Sequence, residues 1–172
     1  MTDLDEFRAD KDEFFRSDQS SPLTPEQRAE FRGLRYYPER PDLVFTMSLE
    51  PFDHAETIEM QTSTGHTAWY TRAARIRFEV SGEPAELTVY RDPTMGLLFL
   101  PFQDGNAGGD TYGAGRYLEP QLLEDGRLLV DFNYAYNPYC AYNERWTCPI
   151  PPAENRLTVA IEAGEMSWDE AH

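Results

Sequence analysis

The segment Arg75–Arg91, RIRFEVSGEPAELTVYR, decides the fold. Apolar and polar residues alternate along both of its halves, and the turn sequence SGEP (81–84) separates them. A period of two is typical of β-strands that bury one face, and a tight turn between two such runs joins antiparallel neighbours. The segment therefore predicts two antiparallel strands joined by a tight turn.

The same alternation recurs along most of the chain beyond residue 42, and turn sequences such as Thr64-Gly65, Asp92-Pro93 and Asp125-Gly126 separate the runs. No helix-sized segments alternate with these runs, which disfavours a parallel α/β sheet. We therefore predict a mainly β fold, either an antiparallel sandwich or a barrel-like sheet. The predicted strands are LVFTMSL (43–49), ETIEMQTS (56–63), TAWYTRA (67–73), RIRFEVS (75–81), ELTVYR (86–91), GLLFLPF (96–102), RLLVDFN (127–133) and LTVAIE (157–162).

The first 35 residues predict one or two helices. Apolar side chains recur there at helical spacing, and acidic residues crowd the start, where the helix dipole favours negative charge. A second helix is predicted to begin at Thr24 as N-cap, with Pro25 in the first turn and Gln27 completing a capping box. Gly33 is the predicted C-cap of this helix.

The length of 172 residues suits a single domain with one sizeable core. We expect residues 1–35 to form a helical cover and residues 36–172 to form the antiparallel β domain beneath it. No apolar run approaches the roughly 20 residues that cross a bilayer, and the acidic start lacks the pattern of a secretory signal. We therefore expect a cytoplasmic protein that does not enter membranes.

The charge balance is strongly acidic, with 31 Asp and Glu against 15 Lys and Arg and a formal net charge of −16. Lys11 is the only lysine. Like charges oppose compaction in dilute buffer, and molar salt screens them within about 3 Å. The composition fits adaptation to a salt-rich, halophilic cytosol or an ordinary acidic protein. In both cases the negative electrostatic field of the protein repels phosphate backbones, so nucleic acid is not an expected partner.

Arg116 and Asp131 are the central candidates for a binding site. Asp131 and Asn133 share one face of the apolar run RLLVDFN, and burial of these groups without partners would cost several kcal/mol. The guanidinium of Arg116 matches a carboxylate bidentately, so we predict that it pairs with Asp131. Two interpretations stay open, since the pair either joins two strands or belongs to a ligand site.

The segment 131–157, DFNYAYNPYCAYNERWTCPIPPAENRL, concentrates further polar and aromatic residues. Its tyrosines at 134, 136, 139 and 142 are predicted to line a pocket or to cover sheet ends. Our leading hypothesis is a polar cleft in which Arg116 holds a small anionic ligand, since a guanidinium is a natural anion site. The predicted ligand-binding residues are Tyr112, Arg116, Asp131, Asn133 and Asn137.

Two other classes of function compete with ligand binding. A hydrolase-type enzyme would use Asp131 with Glu154 or Glu165 as general acid and base, with or without a divalent cation held by oxygen ligands. A structural or interaction module would have no small-molecule site at all. The sequence identifies no catalytic residue, no cofactor and no oligomeric state.

Cys140 and Cys148 allow three interpretations. They are packed thiols, as is usual in the cytosol, a disulfide that closes a short loop, or metal ligands. Tetrahedral zinc usually takes four soft or imidazole ligands, and the histidines at 54, 66 and 172 are all distant in sequence. The sequence therefore indicates no metal site, and it places no histidine as a base beside Cys140.

Several blocks of the chain resemble an uncharacterised family, domain of unknown function 1684, which occurs in bacteria and haloarchaea. The resemblance extends over about residues 8 to 165 and implies a stable, self-contained domain without an established activity, substrate or cofactor. The blocks are SPLTPEQRAEFRGLRYYP (21–38), TSTGHTAWYTR (62–72), LFLPFQDGNAGGDTYGAGRYLE (98–119), DFNYAYNPYCAYNERWTCPIPPAENRL (131–157) and EAGE (162–165).

Overall fold

The structure is a computed structural model that describes residues 2–168. Within these residues the chain forms two α-helices, α1 (Asp3–Ser17) and α2 (Pro25–Glu30), and nine β-strands. The strands are β1 (Val44–Met47), β2 (Glu50–Pro51), β3 (Thr57–Gln61), β4 (Thr67–Val80), β5 (Glu83–Arg91), β6 (Leu98–Phe102), β7 (Arg116–Leu118), β8 (Gln121–Leu122) and β9 (Leu128–Asp131).

The strands of the described part form two antiparallel sheets, which confirms the predicted mainly β fold. One sheet has three strands in the order β1-β9-β8. The other has six, in the order β2-β4-β5-β6-β7, and β3 also pairs with β4. Because both sheets keep free edges, the architecture is sandwich-like and is not a closed barrel.

The long hairpin β4–β5 is the centre of the larger sheet. Ser81 and Gly82 form its two-residue turn, and both have positive φ, as hairpin turns that follow the twist of the strands require. The predictions TAWYTRA and RIRFEVS describe one continuous strand, β4, with a register shift between Arg72 and Ala74. A β-bulge of this kind bends a strand without ending it, so the alternation changes phase there and looks like two strands.

The main core lies between the sheets and centres on Phe132. The rings of Phe45, Phe78 and Phe102 surround it at centroid distances of 6.0, 5.5 and 5.4 Å. β9 presents Leu128 and Val130 to this core, as its alternating pattern predicts, before a 3-10 turn takes over at Phe132.

The N-terminal helices pack as a separate apolar cluster, which confirms the helical prediction for this region. Thr24 and Gln27 form the predicted capping box of α2, with Pro25 in its first turn. The predicted C-cap is wrong, because α2 ends at Glu30 and Phe31 caps it. Gly33 lies beyond the helix at φ +116°. Over the described residues, neither helix is long and apolar enough to cross a membrane.

The predicted strand LTVAIE (157–162) is wrong, and its backbone makes other bonds. The amide of Leu157 donates to the Gln103 carbonyl at 2.7 Å, and the amide of Ile161 donates to Oδ2 of Asp104 at 2.8 Å. The carbonyls of Ile161 and Ala163 accept from the Arg116 guanidinium. Since isolated backbone bonds and two side chains satisfy these groups, the segment needs no partner strand.

Gly105 is required by a close approach of two backbones. A Cβ at this position would lie 2.4 Å from the Thr158 carbonyl oxygen. We expect Gly105→Ala to lower the free energy of unfolding by about 1–3 kcal/mol, because the 103–105 and 157–161 segments would have to separate. Urea denaturation measures the change.

Gly113→Ala is the matched control, because the nearest atom to its added Cβ is 3.6 Å away. It should leave the urea midpoint nearly unchanged. Equal midpoints for the Gly105→Ala and Gly113→Ala variants would contradict the packing described for the loop.

Candidate functional site

Arg116, the predicted anion-binding residue, is buried inside the protein with 1% of its surface exposed. Its Nη1 donates to the carbonyl oxygens of Ala163 at 2.5 Å and Glu165 at 3.0 Å, and its Nη2 donates to that of Ile161 at 2.9 Å. The guanidinium plane also lies 5.2 Å from the centroid of Phe102. Arg116 therefore holds the C-terminal segment and cannot receive a ligand from solvent.

The carboxylate partner of Arg116 is Asp104, and the predicted pair with Asp131 is wrong. Nη2 of Arg116 lies 3.7 Å from Oδ2 of Asp104, and both side chains are buried. Burial lowers the pKa of the guanidinium, and the charge of Asp104 opposes that shift. Asp104 is fixed in turn by the Thr111 hydroxyl, which donates to Oδ1 at 2.7 Å. No bond between Arg116 and Asp131 exists among the described residues.

Asp131 and Asn133 instead fix the backbone at Arg40. The Asn133 side chain accepts from the Arg40 amide at 2.8 Å and donates to the Arg40 carbonyl at 2.9 Å. Oδ1 of Asp131 accepts from the backbone and side-chain nitrogens of Asn133 at 3.0 and 2.9 Å. Asn133 is therefore a buried bridge between segments, and its role in ligand binding stays a prediction.

Asn137 is also buried, and it belongs to a cluster around the carboxylate of Glu165. Oε2 of Glu165 accepts from the Asn137 amide at 2.7 Å and from the Tyr142 hydroxyl at 2.9 Å. The other oxygen, Oε1, forms an ion pair with Lys11 on α1. Nδ2 of Asn137 donates to the Met166 carbonyl at 3.0 Å. This cluster fastens α1 to the β domain, and the ligand role of Asn137 likewise stays a prediction.

A surface cavity of about 500 Å³ lies beside α1, and it contains Asp131 but none of the other four predicted ligand residues. We call it the α1 cavity. Its lining is Phe7, Leu118, Glu119, Gln121, Leu129, Asp131, Tyr134 and Tyr136. The rings of Phe7 and Tyr134 meet edge to face at 4.9 Å. Two of the four conspicuous tyrosines, at 134 and 136, therefore line this cavity.

A second cavity of about 460 Å³ adjoins the α1 cavity and shares Phe7, Glu119 and Tyr136 with it. Its further lining comes from Asp10, Lys11, Phe14, Phe15 and Tyr139. The Lys11 ammonium lies 5.0 Å from the centroid of Tyr136, within the range of a cation–π interaction. Since Glu165 neutralises Lys11, the remaining charges around both cavities are the carboxylates of Asp10, Glu119 and Asp131.

The carboxylates proposed for hydrolysis are not brought together. Glu154 accepts from the Tyr90 hydroxyl and from Arg72 on the larger sheet. Asp131 lines the α1 cavity, and Glu165 is 2% exposed within its buried cluster. Each of these three acids has its own set of partners, so they do not face one another across a shared cleft.

Tyr112, the fifth predicted residue, lies beside the cysteines. Its hydroxyl is 3.6 Å from Sγ of Cys140. Cys140 and Cys148 both carry free thiols, the first half-buried and the second buried. Burial is the largest cause that raises the pKa of Tyr112, and the hydrogen bond with Cys140 adds to it.

Sequence reasoning missed Glu119 and Phe7 as cavity residues and Lys11–Glu165 as a buried pair. The available signal for Lys11 was its position: the only lysine of an arginine-rich chain continues the apolar stripe of α1. Glu119 gave no local signal, because a lone acid after a three-residue strand is typical of a surface position.

Comparisons with known proteins agree with this fold. The model of a family described as "Protein of unknown function (DUF1684)" matches residues 29–166. The chain is similar to an uncharacterized protein of Haloarcula marismortui whose structure was determined by solution NMR, with 37% sequence identity and a TM-score of 0.70. That match covers 95% of this chain and 91% of the other. No curated protein matches the chain. The family match includes both sheets and leaves out α1.

Arg116→Met should lower the free energy of unfolding by about 3–5 kcal/mol, because three carbonyls and a buried aspartate would lose their donor. Urea denaturation measures this loss. Arg127→Met is the control, since Arg127 pairs with Asp125 on the exposed β8–β9 turn. An Arg116→Met variant as stable as the control would contradict the role of the guanidinium.

Proposed function

The chain belongs to the DUF1684 family of proteins of unknown function, and from its geometry we propose that it binds a small organic cation in the α1 cavity. The observation that carries this proposal is the combination of aromatic rings and carboxylates around one cavity. Neither Glu119 nor Asp131 forms an ion pair with another described residue. A volume of about 500 Å³ suits a small metabolite. The ligand would be an amine or quaternary ammonium with a modest apolar part.

The aromatic rings of the cavity can bind a cation. Phe7, Tyr134 and Tyr136 line the cavity together, and Phe7 keeps 41% of its surface exposed. Ring faces attract cations by about 0.5–2 kcal/mol, most strongly where water is excluded. Tyr136 already interacts in this way with Lys11 of the adjoining cavity, so this ring can attract a cation.

The two carboxylates of the cavity can accept hydrogen bonds from an ammonium group. Tyr136 donates to Oε1 of Glu119, and Asn133 donates to Oδ1 of Asp131, so one oxygen of each acid holds the cavity wall. Oε2 of Glu119 and Oδ2 of Asp131 make no hydrogen bond to any described residue. Each is therefore available as an acceptor for an ammonium group.

The charge of the cavity favours a cation over the anion expected from the sequence. The anion hypothesis depended on Arg116, and that guanidinium is sealed against the carbonyls of residues 161–165. A net charge of −16 adds a field that attracts cations and repels anions.

Choline and its neutral isostere 3,3-dimethyl-1-butanol test the proposal directly. We expect choline to raise the melting temperature in a concentration-dependent way and the neutral compound to have little effect, because a ligand of the folded state stabilises it. Isothermal titration calorimetry gives the dissociation constant. Inorganic phosphate is the probe for the anionic alternative, and its binding without that of choline would overturn the proposal.

The double variant Glu119→Gln/Asp131→Asn should raise the Kd for choline about tenfold, because both acceptors lose their charge while the wall hydrogen bonds are kept. Glu59→Gln/Glu83→Gln removes the same charge from exposed positions of β3 and β5 and is the matched control. Equal affinity in the two double variants would show that net charge alone attracts choline. No binding by the wild-type protein would favour an interaction module.

A further inference from the structure

Cys140 and Cys148 come together at the end of the larger sheet, away from the residues that line the α1 cavity. Cys140 lies in the 3-10 turn Tyr139–Ala141. Cys148 is held against the end of β3, where Ser63 donates its amide to the Cys148 carbonyl at 2.9 Å and accepts from the Cys148 amide at 3.1 Å. The rings of Tyr139 and Trp146, which lie next to Cys140 and two residues before Cys148, meet at a centroid distance of 5.2 Å. The loop between them therefore begins and ends at one point of the fold.

The two thiols differ in exposure and in their surroundings. Cys140 is half-buried and Cys148 is buried. The hydrogen bond with Cys148 is the largest cause that lowers the pKa of Cys140 to about 6, and bonds with Tyr112 and Ser63 act in the same direction against burial. The same thiol–thiol bond raises the pKa of Cys148. Cys140 thus has the character of an attacking thiolate, and Cys148 remains a protonated neighbour.

We propose that Cys140 and Cys148 form a thiol–disulfide exchange site that reacts with low-molecular-weight disulfides. The geometry gives three reasons: the Tyr139–Trp146 ring contact and the bonds of Ser63 bring the two ends of the loop together, the Cys140 thiol is only half-buried, and a tyrosine hydroxyl stands 3.6 Å from it. Metal chelation by the pair would require more ligands, and the described residues contain no group of three His, Cys, Asp or Glu suited to a metal ion.

The reaction proceeds in two balanced steps. The Cys140 thiolate attacks a disulfide RSSR, forms a Cys140–SR bond and releases RS⁻. Cys148 then loses its proton to solvent and attacks Sγ of Cys140, which forms the Cys140–Cys148 bond and releases a second RS⁻. In sum, the protein dithiol is oxidised by two electrons, RSSR is reduced, and the products are one protein disulfide and two RSH. An added dithiol reverses the sequence.

Glutathione disulfide is the probe, and the full folded chain is the sample. The expected result is simultaneous loss of both free thiols and appearance of a Cys140–Cys148 disulfide, which dithiothreitol removes. Tryptic digestion and mass spectrometry detect it, because cleavage after Arg145 places the two cysteines in different peptides. Two thiols that stay reduced, or a mixed disulfide that never converts to the internal one, would overturn the proposal.

Single variants separate the two roles. Cys148→Ser should stop at a mixed disulfide on Cys140, and Cys140→Ser should react at least about tenfold more slowly, because its remaining thiol is buried and protonated. The wild-type protein in urea provides the control for folding, since both cysteines should then react at similar rates. Similar rates for the two single variants in the folded state would contradict the assignment.

Discussion

The buried guanidinium of Arg116 is the interaction on which the rest of the structure depends. It neutralises part of its charge with Asp104 and directs its remaining donors at the carbonyls of residues 161, 163 and 165. A β-sheet would satisfy those carbonyls with a neighbouring strand, but here one side chain does so from the inside. Residues 157–168 can therefore cross the core without regular secondary structure.

A second buried charge continues this arrangement outward. Glu165 contributes one of the carbonyls that Arg116 binds, and its carboxylate accepts from the Tyr142 hydroxyl and the Asn137 amide and pairs with Lys11. The two clusters are thus linked through the backbone of one residue. The cluster around Arg116 fixes the path of the C-terminal segment. The cluster around Glu165, which lies on that segment, then binds α1 through Lys11. The wall that Phe7 contributes to the α1 cavity depends on both.

Local patterns of the sequence predicted the strands and helices well, because each depends on near neighbours. The turn at Ser81-Gly82 and the capping box at Thr24 needed no knowledge of the tertiary fold. The polar sites were harder to predict. Arg116 is 12 residues from Asp104 and 15 from Asp131, and strand alternation cannot tell which acid lies beneath the guanidinium. Asparagines that bridge backbones look the same in a sequence as asparagines that bind ligands. The sequence therefore could not show that Asn133 and Asn137 bond to backbone carbonyls inside the protein.

The position of Lys11 has a consequence for amine chemistry. Its ε-amino group is the only one in the chain, and it is held between the carboxylate of Glu165 and the rings of Phe15 and Tyr136. Acylating reagents and enzymes that modify lysine require a free, deprotonated amine at the surface. The folded protein therefore offers them one lysine amine that is ion-paired and largely covered, and faster acylation of this nitrogen reports the detachment of α1.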